Sequence, residues 1–151
     1  MDIPMGWTRE FVRVVMDTGV DAVLGHHPHV PHGVGWRGDR PAFYSLGNLV
    51  FHMHRDYAWT GTGFLARLTF TRGDHGAELQ VEACPYHILG VSPVPFEGQV
   101  KGPLEQSFKR HLEQLSMAVG RTQIGDPGPN GCMRLEPPEK KPRRRHGAHS
   151  G

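Results

Sequence analysis

The sequence predicts a mixed α/β domain, and three observations predict it. A short amphipathic segment leads through a glycine into an apolar run, two alternating segments face each other across a turn, and a longer segment repeats its apolar residues every three to four positions. The predicted folded unit covers residues 1–124, and residues 125–151 read as a disordered, basic, Pro/Gly-rich tail.

The first element is a helix from about Thr8 to Thr18, with Trp7, Phe11, Val14 and Val15 on one stripe and Arg9, Arg13 and Asp17 off it. Gly19 is a natural stop for it. Asp21 to Leu24 follows as a short buried strand, and Gly25 ends that strand directly before His26-His27-Pro28-His29. The histidines therefore fall at the carboxyl edge of a strand, where open α/β sheets place their ligands.

Val30, His32, Val34 and Trp36 alternate as a second strand, closed by a turn over Arg37 to Pro41. Ala42 to Leu46 is strand-like, breaks at Gly47-Asn48 and resumes as Leu49-Val50-Phe51. The clearest local signal is an antiparallel hairpin. Phe64, Ala66, Leu68 and Phe70 alternate up to a turn at Arg72 to Gly76, and Ala77, Leu79, Val81 and Ala83 alternate on the way back.

Pro85 to Pro95 is extended and interrupted by prolines, after which Gly102-Pro103 opens a helix with Pro at its first position. Leu104, Phe108, Leu112 and Leu115 form its buried stripe, Glu105 and Lys109 are spaced as an i,i+4 ion pair, and Gly120 ends it. From about Gly125 onward the chain is Gly, Pro and charge. That composition buries too little apolar surface to offset the ~1–2 kcal/mol per residue of backbone ordering.

Composition excludes several functions. The formal net charge is +2, and the run Lys140 to Arg145 holds much of the positive charge, so the body is nearly balanced and a nucleic-acid partner is not expected. No stretch approaches the ~20 apolar residues of a membrane span, and the N-terminus has no signal-peptide pattern. Cys84 and Cys132 stand far apart with no ligand spacing, so they read as free thiols, with a disulfide between them as the alternative, and the compartment stays open.

Of 11 histidines, His26, His27, His29 and His32 crowd into one short stretch behind the first strand. An H-x-H pair on a sharp turn can aim two imidazoles at one point, and neutral imidazole is a good ligand for Zn, Mn or Fe. Pro28 stiffens that turn. The competing reading is a solvent-facing histidine cluster.

The run Asp21-Ala22-Val23-Leu24-Gly25-His26-His27-Pro28-His29-Val30 resembles the G-x-H-P-H-V signature of the CapA family of capsule synthesis proteins, relatives of the calcineurin-like metallophosphoesterases. Phe43-Tyr44-Ser45-Leu46-Gly47-Asn48-Leu49-Val50-Phe51 resembles that family's Y-S-L-G-N-F-V-F block. The resemblance covers roughly Thr8 to Pro95. It implies the C-terminal portion of a metallophosphoesterase-like α/β sandwich, with residues 1–124 as a partial domain of that type.

Further, the resemblance implies a divalent metal ion held by His27 and His29, with His26 and Asn48 at the site edge, and leaves catalytic residues unassigned. A plain turn role for Gly47-Asn48 is the alternative for Asn48. The upstream Asp, His and Asn motifs of a two-metal centre have no counterpart here, and Gly38-Asp39 and Gly73-Asp74 are not expected to replace them. His52-Met53-His54 stands where the family often has Asp; it reads as surface imidazoles, with an auxiliary ligand pair as the alternative.

The implied function is metal-dependent hydrolysis serving capsular poly-gamma-glutamate or another envelope polymer, with a phosphoester as the substrate class. The alternatives are a non-enzymatic accessory domain and a truncated product without independent activity. Complete relatives are expected at the cell envelope, and oligomeric state is not legible.

Overall fold

A computed structural model of the chain describes residues 3–50 and 58–139. In chain order it contains α1 (Gly6–Asp17), β1 (Val23–Leu24), β2 (Val34–Arg37), β3 (Arg40–Phe43), β4 (Thr62–Gly73), β5 (Gly76–Leu89) and β6 (Ser92–Pro95). A single 3-10 turn, Gly98–Val100, leads into α2 (Lys101–Met117), followed by β7 (Gln123–Ile124) and β8 (Met133–Glu136). The fold is mixed α/β with two sheets.

The smaller sheet has the order β1-β3-β2. β1 runs parallel to β3 and β2 antiparallel to it. Successive residues of β3 face opposite sides, as a pleated strand requires. Ala42 packs on Val12 and Met16 of α1, whereas Phe43 enters the main core. The larger sheet is antiparallel in the order β4-β5-β8-β7, with β6 on the far end of β5.

Between the sheets lies one core of Val34, Phe43, Leu46, Phe64, Val81, Ala83, Phe96, Phe108, Leu112, Ile124, Met133 and Leu135. The α2 stripe supplies its centre: Phe108 and Leu112 are fully buried and Leu115 nearly so, as the sequence pattern predicts. Ser116 fastens the helix to the small sheet, its Oγ accepting from Val34 N at 3.0 Å. The helix opens at Lys101 rather than at Pro103. Pro103 still lies in the first turn, where the missing N–H removes no intrahelical bond.

Five expectations need correction. The stripe read on α1 is not its buried face: Trp7 and Phe11 are 69% and 64% exposed, Val14 is exposed too, and Val12 and Met16 are the residues that touch the sheet. The bulkiest apolar side chains of α1 mark the wrong side of the helix: its packed face meets Ala42, with Val20, Val23 and Tyr44 around it.

Within the stretch read as a tail, Met133–Glu136 forms a strand of the larger sheet. Met133 and Leu135 of β8 are buried, and β8 pairs with Val81, Glu82 and Ala83 of β5. Alternation over Met133–Glu136 is the strand signal, hidden by the Gly/Pro run before it. Cys84 and Cys132 form a disulfide rather than two thiols. Glu105 pairs with Lys101 at 3.8 Å, while Lys109 turns to Asp126 at 2.7 Å and Glu113 at 3.9 Å. Finally, Leu49 and Val50 form no strand, and Phe51 with His52-Met53-His54 lies outside the described residues.

Candidate metal loop

The loop begins where β1 ends. Gly25 N donates to Phe43 O at 2.7 Å and Gly25 O accepts from Leu46 N at 3.1 Å, so the chain is held against the β3 extension for one residue beyond the strand. The approach needs glycine, since a Cβ there would lie 2.5 Å from Tyr44 O and 2.8 Å from Phe43 O. His26 and His27 then project as exposed side chains, and His29 is half-buried.

Both ends of the H-x-H pair adopt left-handed backbone. His27 has φ 103° and His29 φ 62°, a region that few non-glycine residues visit. Such conformations cost of order 1–3 kcal/mol each and persist only where surrounding structure holds them. Pro28, with its own φ fixed by the ring, sits between them. The outcome is a tight corner with the His27 and His29 ring centres 6.0 Å apart and tilted by 48°.

Asn48 fixes one of the two rings. Its Oδ1 lies 2.7 Å from His29 Nδ1, and its Nδ2 donates to Thr60 O at 3.0 Å. A carbonyl only accepts, so Nδ2 must face Thr60 and Oδ1 must face the imidazole. The neutral ring is then the Nδ1–H tautomer, with its lone pair on Nε2. The left-handed position of the Gly47-Asn48 turn belongs to Gly47, at φ 80°, leaving Asn48 to make these bonds.

Asn48 is itself clamped from the larger sheet. Tyr86 on β5 donates its hydroxyl to the main-chain oxygen of Asn48 at 2.7 Å. Both residues are buried, at 6% and 5% exposure. Burial pushes the Tyr86 phenol up to about 12. Tyr44 on the other side of the loop is also raised by burial, partly offset by Arg9.

Of the site residues read from sequence, His27, His29 and Asn48 come together, and His26 flanks them. His32 is drawn away from the loop: it is buried, and its main-chain N donates to Ser45 O at 3.0 Å. Tyr86 and Thr60 escaped sequence reasoning. Tyr86 lies 38 residues beyond Asn48 and carries no local motif, so only the register of β4 against β5 brings it near.

Two imidazoles on one corner suit a borderline cation. With metal–nitrogen bonds of ~2.0–2.1 Å, two ring centres sharing an ion sit about 5–6 Å apart, and the observed spacing is at the upper end of that span. Two nitrogens fill half of a four-coordinate shell. Among the described residues there is no group of three or more His, Cys, Asp or Glu side chains arranged to hold an ion.

The architecture defines an α/β protein with a histidine corner at the carboxyl end of a parallel strand. Comparison with known proteins shows what parts of the chain resemble. Residues 2–53 match the model of the bacterial capsule synthesis protein family PGA_cap. The chain is 34% identical over 87 residues to the PGA biosynthesis protein CapA of Bacillus subtilis (strain 168), covering 58% of this chain and 22% of that protein.

It is 35% identical over 83 residues to the capsule biosynthesis protein CapA of Bacillus anthracis, covering 55% of this chain and 19% of the relative. An uncharacterised protein, y4sH of Sinorhizobium fredii (strain NBRC 101917 / NGR234), is 40% identical over 48 residues, 32% of this chain and 10% of that one. Over these stretches the chain is similar to the CapA-type capsule synthesis proteins. It spans about a fifth of the length of the two CapA relatives.

Among the described residues, no helix is long and apolar enough to cross a membrane.

Proposed function

We propose that the chain serves the synthesis of a capsular polymer such as poly-gamma-glutamate, or of another envelope polymer, and that His27 and His29 hold a divalent ion, Mn, Zn or Fe. The observation that carries this reading is the corner itself: two left-handed histidines with ring centres 6.0 Å apart, one of them locked by Asn48 as the tautomer whose lone pair is on Nε2. Backbone strain of this kind, maintained by a buried amide, is the arrangement expected of a ligand site rather than of an idle surface loop.

The donor set fits the group in part. His27 and His29 would supply two nitrogens, Asn48 would orient His29, and His26 would stand at the edge. A divalent ion in such a place supplies a water of lowered pKa and a positive charge beside the developing oxyanion. The substrate class of this reading is a phosphoester or related bond. With two ligands, the chain alone binds one ion weakly and hydrolyses little.

A second reading follows from the same count of ligands. The domain acts as an accessory module whose histidine corner contacts a metal or an anion without turnover, the rest of the coordination shell coming from a partner surface. Calorimetry with Zn²⁺ or Mn²⁺ tests the site: the wild-type chain gives binding heat that the His27→Ala/His29→Ala double variant lacks, and identical heats for the two proteins would end the metal reading. Hydrolysis of bis-p-nitrophenyl phosphate with Mn²⁺ separates the two functions, since turnover abolished by His27→Ala belongs only to the hydrolase.

A further inference from the structure

We propose that Tyr86 is a positioning residue for His29, acting through Asn48, so that the larger sheet determines which ring nitrogen the histidine corner offers to a ligand. The inference deepens the metal reading and rests on it for its binding consequence, but its structural content is independent of any ion.

The chain of contacts is short and directional. The Tyr86 hydroxyl donates to Asn48 O at 2.7 Å, while the Asn48 side chain spans from Thr60 O, at 3.0 Å, to His29 Nδ1, at 2.7 Å. One residue is thus held by its main chain from β5 and by its side chain from two loops. Rotating Asn48 about its backbone would carry its side chain away from the imidazole and from Thr60 O. A phenol fixed to the main-chain oxygen removes that rotation.

The packing around the clamp is built for it. Gly63 at the start of β4 lies directly across, in register with Tyr86. A Cβ at Gly63 would run into the Tyr86 hydroxyl and would sit 2.5 Å from Asn48 O. Phe64 N donates to Leu46 O at 3.1 Å, so the segment bearing Asn48 is bonded along β4 as well. The amide can therefore neither withdraw from the sheet nor turn within it.

Free imidazole in water prefers its proton on Nε2, the opposite of what Asn48 enforces. The tautomer of His29 is consequently a direct readout of the positioning, whether or not metal is present. A role limited to fold stability would move the melting temperature and leave the tautomer untouched.

The test is long-range ¹⁵N–¹H correlation of the full chain with labelled histidine, at about pH 8, where an ordinary imidazole is neutral. Wild type should show His29 as Nδ1–H. Tyr86→Phe should shift it towards the Nε2–H form and weaken Zn²⁺ binding by about tenfold, the lower end for loss of an outer-shell partner. Gly63→Ala, which keeps the phenol but forces it off Asn48, should act in the same direction, and it carries the test should Tyr86→Phe lose its cooperative melt. Asn48→Ala marks the full effect.

A folded Tyr86→Phe protein with the wild-type His29 tautomer and unchanged Zn²⁺ affinity overturns the proposal. So does a lowered melting temperature as its sole change. A wild-type chain that binds no Zn²⁺, yet shows the Nδ1–H form disturbed by Tyr86→Phe, ends the metal reading and leaves the positioning role standing.

Discussion

Cys84 on β5 is bonded to Cys132, the residue just before β8, across a separation of 48 residues. The bond closes over the route through β6, α2 and β7, and Arg67 of β4 sits beside it with a guanidinium N 2.9 Å from Cys132 Sγ. β8 pairs with only three residues of β5, so the covalent tie adds to a short ladder.

Opening this bond is expected to lower stability by about 4 kcal/mol, the loop-closure value for a loop of this size in the chain-entropy account. Denaturation in urea with and without a thiol reductant measures it, and Cys132→Ser should reproduce the reduced protein. A reductant that leaves the midpoint unchanged would show that β8 is held by packing of Met133 and Leu135 alone.

The two helices should respond very differently to truncation. Phe108 is fully buried against Trp59 and Phe64, so Phe108→Ala is expected to destabilise by about 3–5 kcal/mol. Phe11 is larger than any buried residue of α1, yet it is mostly exposed, and Phe11→Ala should stay within about 0.5 kcal/mol. Thermal melts of the two variants decide the point. A large loss at Phe11 would mean that the stripe read from sequence is the packed face after all.

These contrasts show what the sequence makes legible. The hairpin, the α2 stripe and the placement of His27 and His29 behind β1 follow from periodicity and from glycine positions, which are local. The disulfide and β8 do not, because Cys132 approaches Cys84 only after α2 has crossed the core and returned the chain to β5. Likewise Asn48 could be placed near the site through the family resemblance, whereas Tyr86 depends on a strand register fixed by a turn ten residues earlier, between Gly73 and Gly76. Backbone strain at His27 and His29 leaves no trace in composition at all.

Asn48 joins the histidine corner to the rest of the molecule, and its two polar atoms can be separated by substitution. Asn48→Ala removes the bonds to His29 and Thr60 together and should cost about 1–3 kcal/mol, as expected for a buried polar pair left broken. Asn48→Asp retains an acceptor for His29 but presents a second oxygen to Thr60 O. It should destabilise the fold while keeping the Nδ1–H tautomer of His29. Urea midpoints together with the histidine ¹⁵N spectrum test both statements, and a spectrum altered more by Asp than by Ala would contradict the assigned amide orientation.

Tyr86 makes stability depend on alkaline pH. Its folded pKa is raised by burial from 10.0 to about 12, so the folded state holds the phenolic proton more tightly than the unfolded state. The sign follows directly: the contribution is fully present below pH 10, where both states are protonated, and is lost as pH rises towards about 12 because only the unfolded chain ionises in that window. A tenfold tighter hold on the proton corresponds to about 1.4 kcal/mol, giving a loss of roughly 2–3 kcal/mol across the range. Tyr86→Phe should flatten this part of the curve by that amount while starting from a lower plateau, since Asn48 O loses its donor. Urea denaturation between pH 9 and pH 12 measures the slope, and an identical slope in the wild type and Tyr86→Phe would place the phenol in water rather than against Asn48.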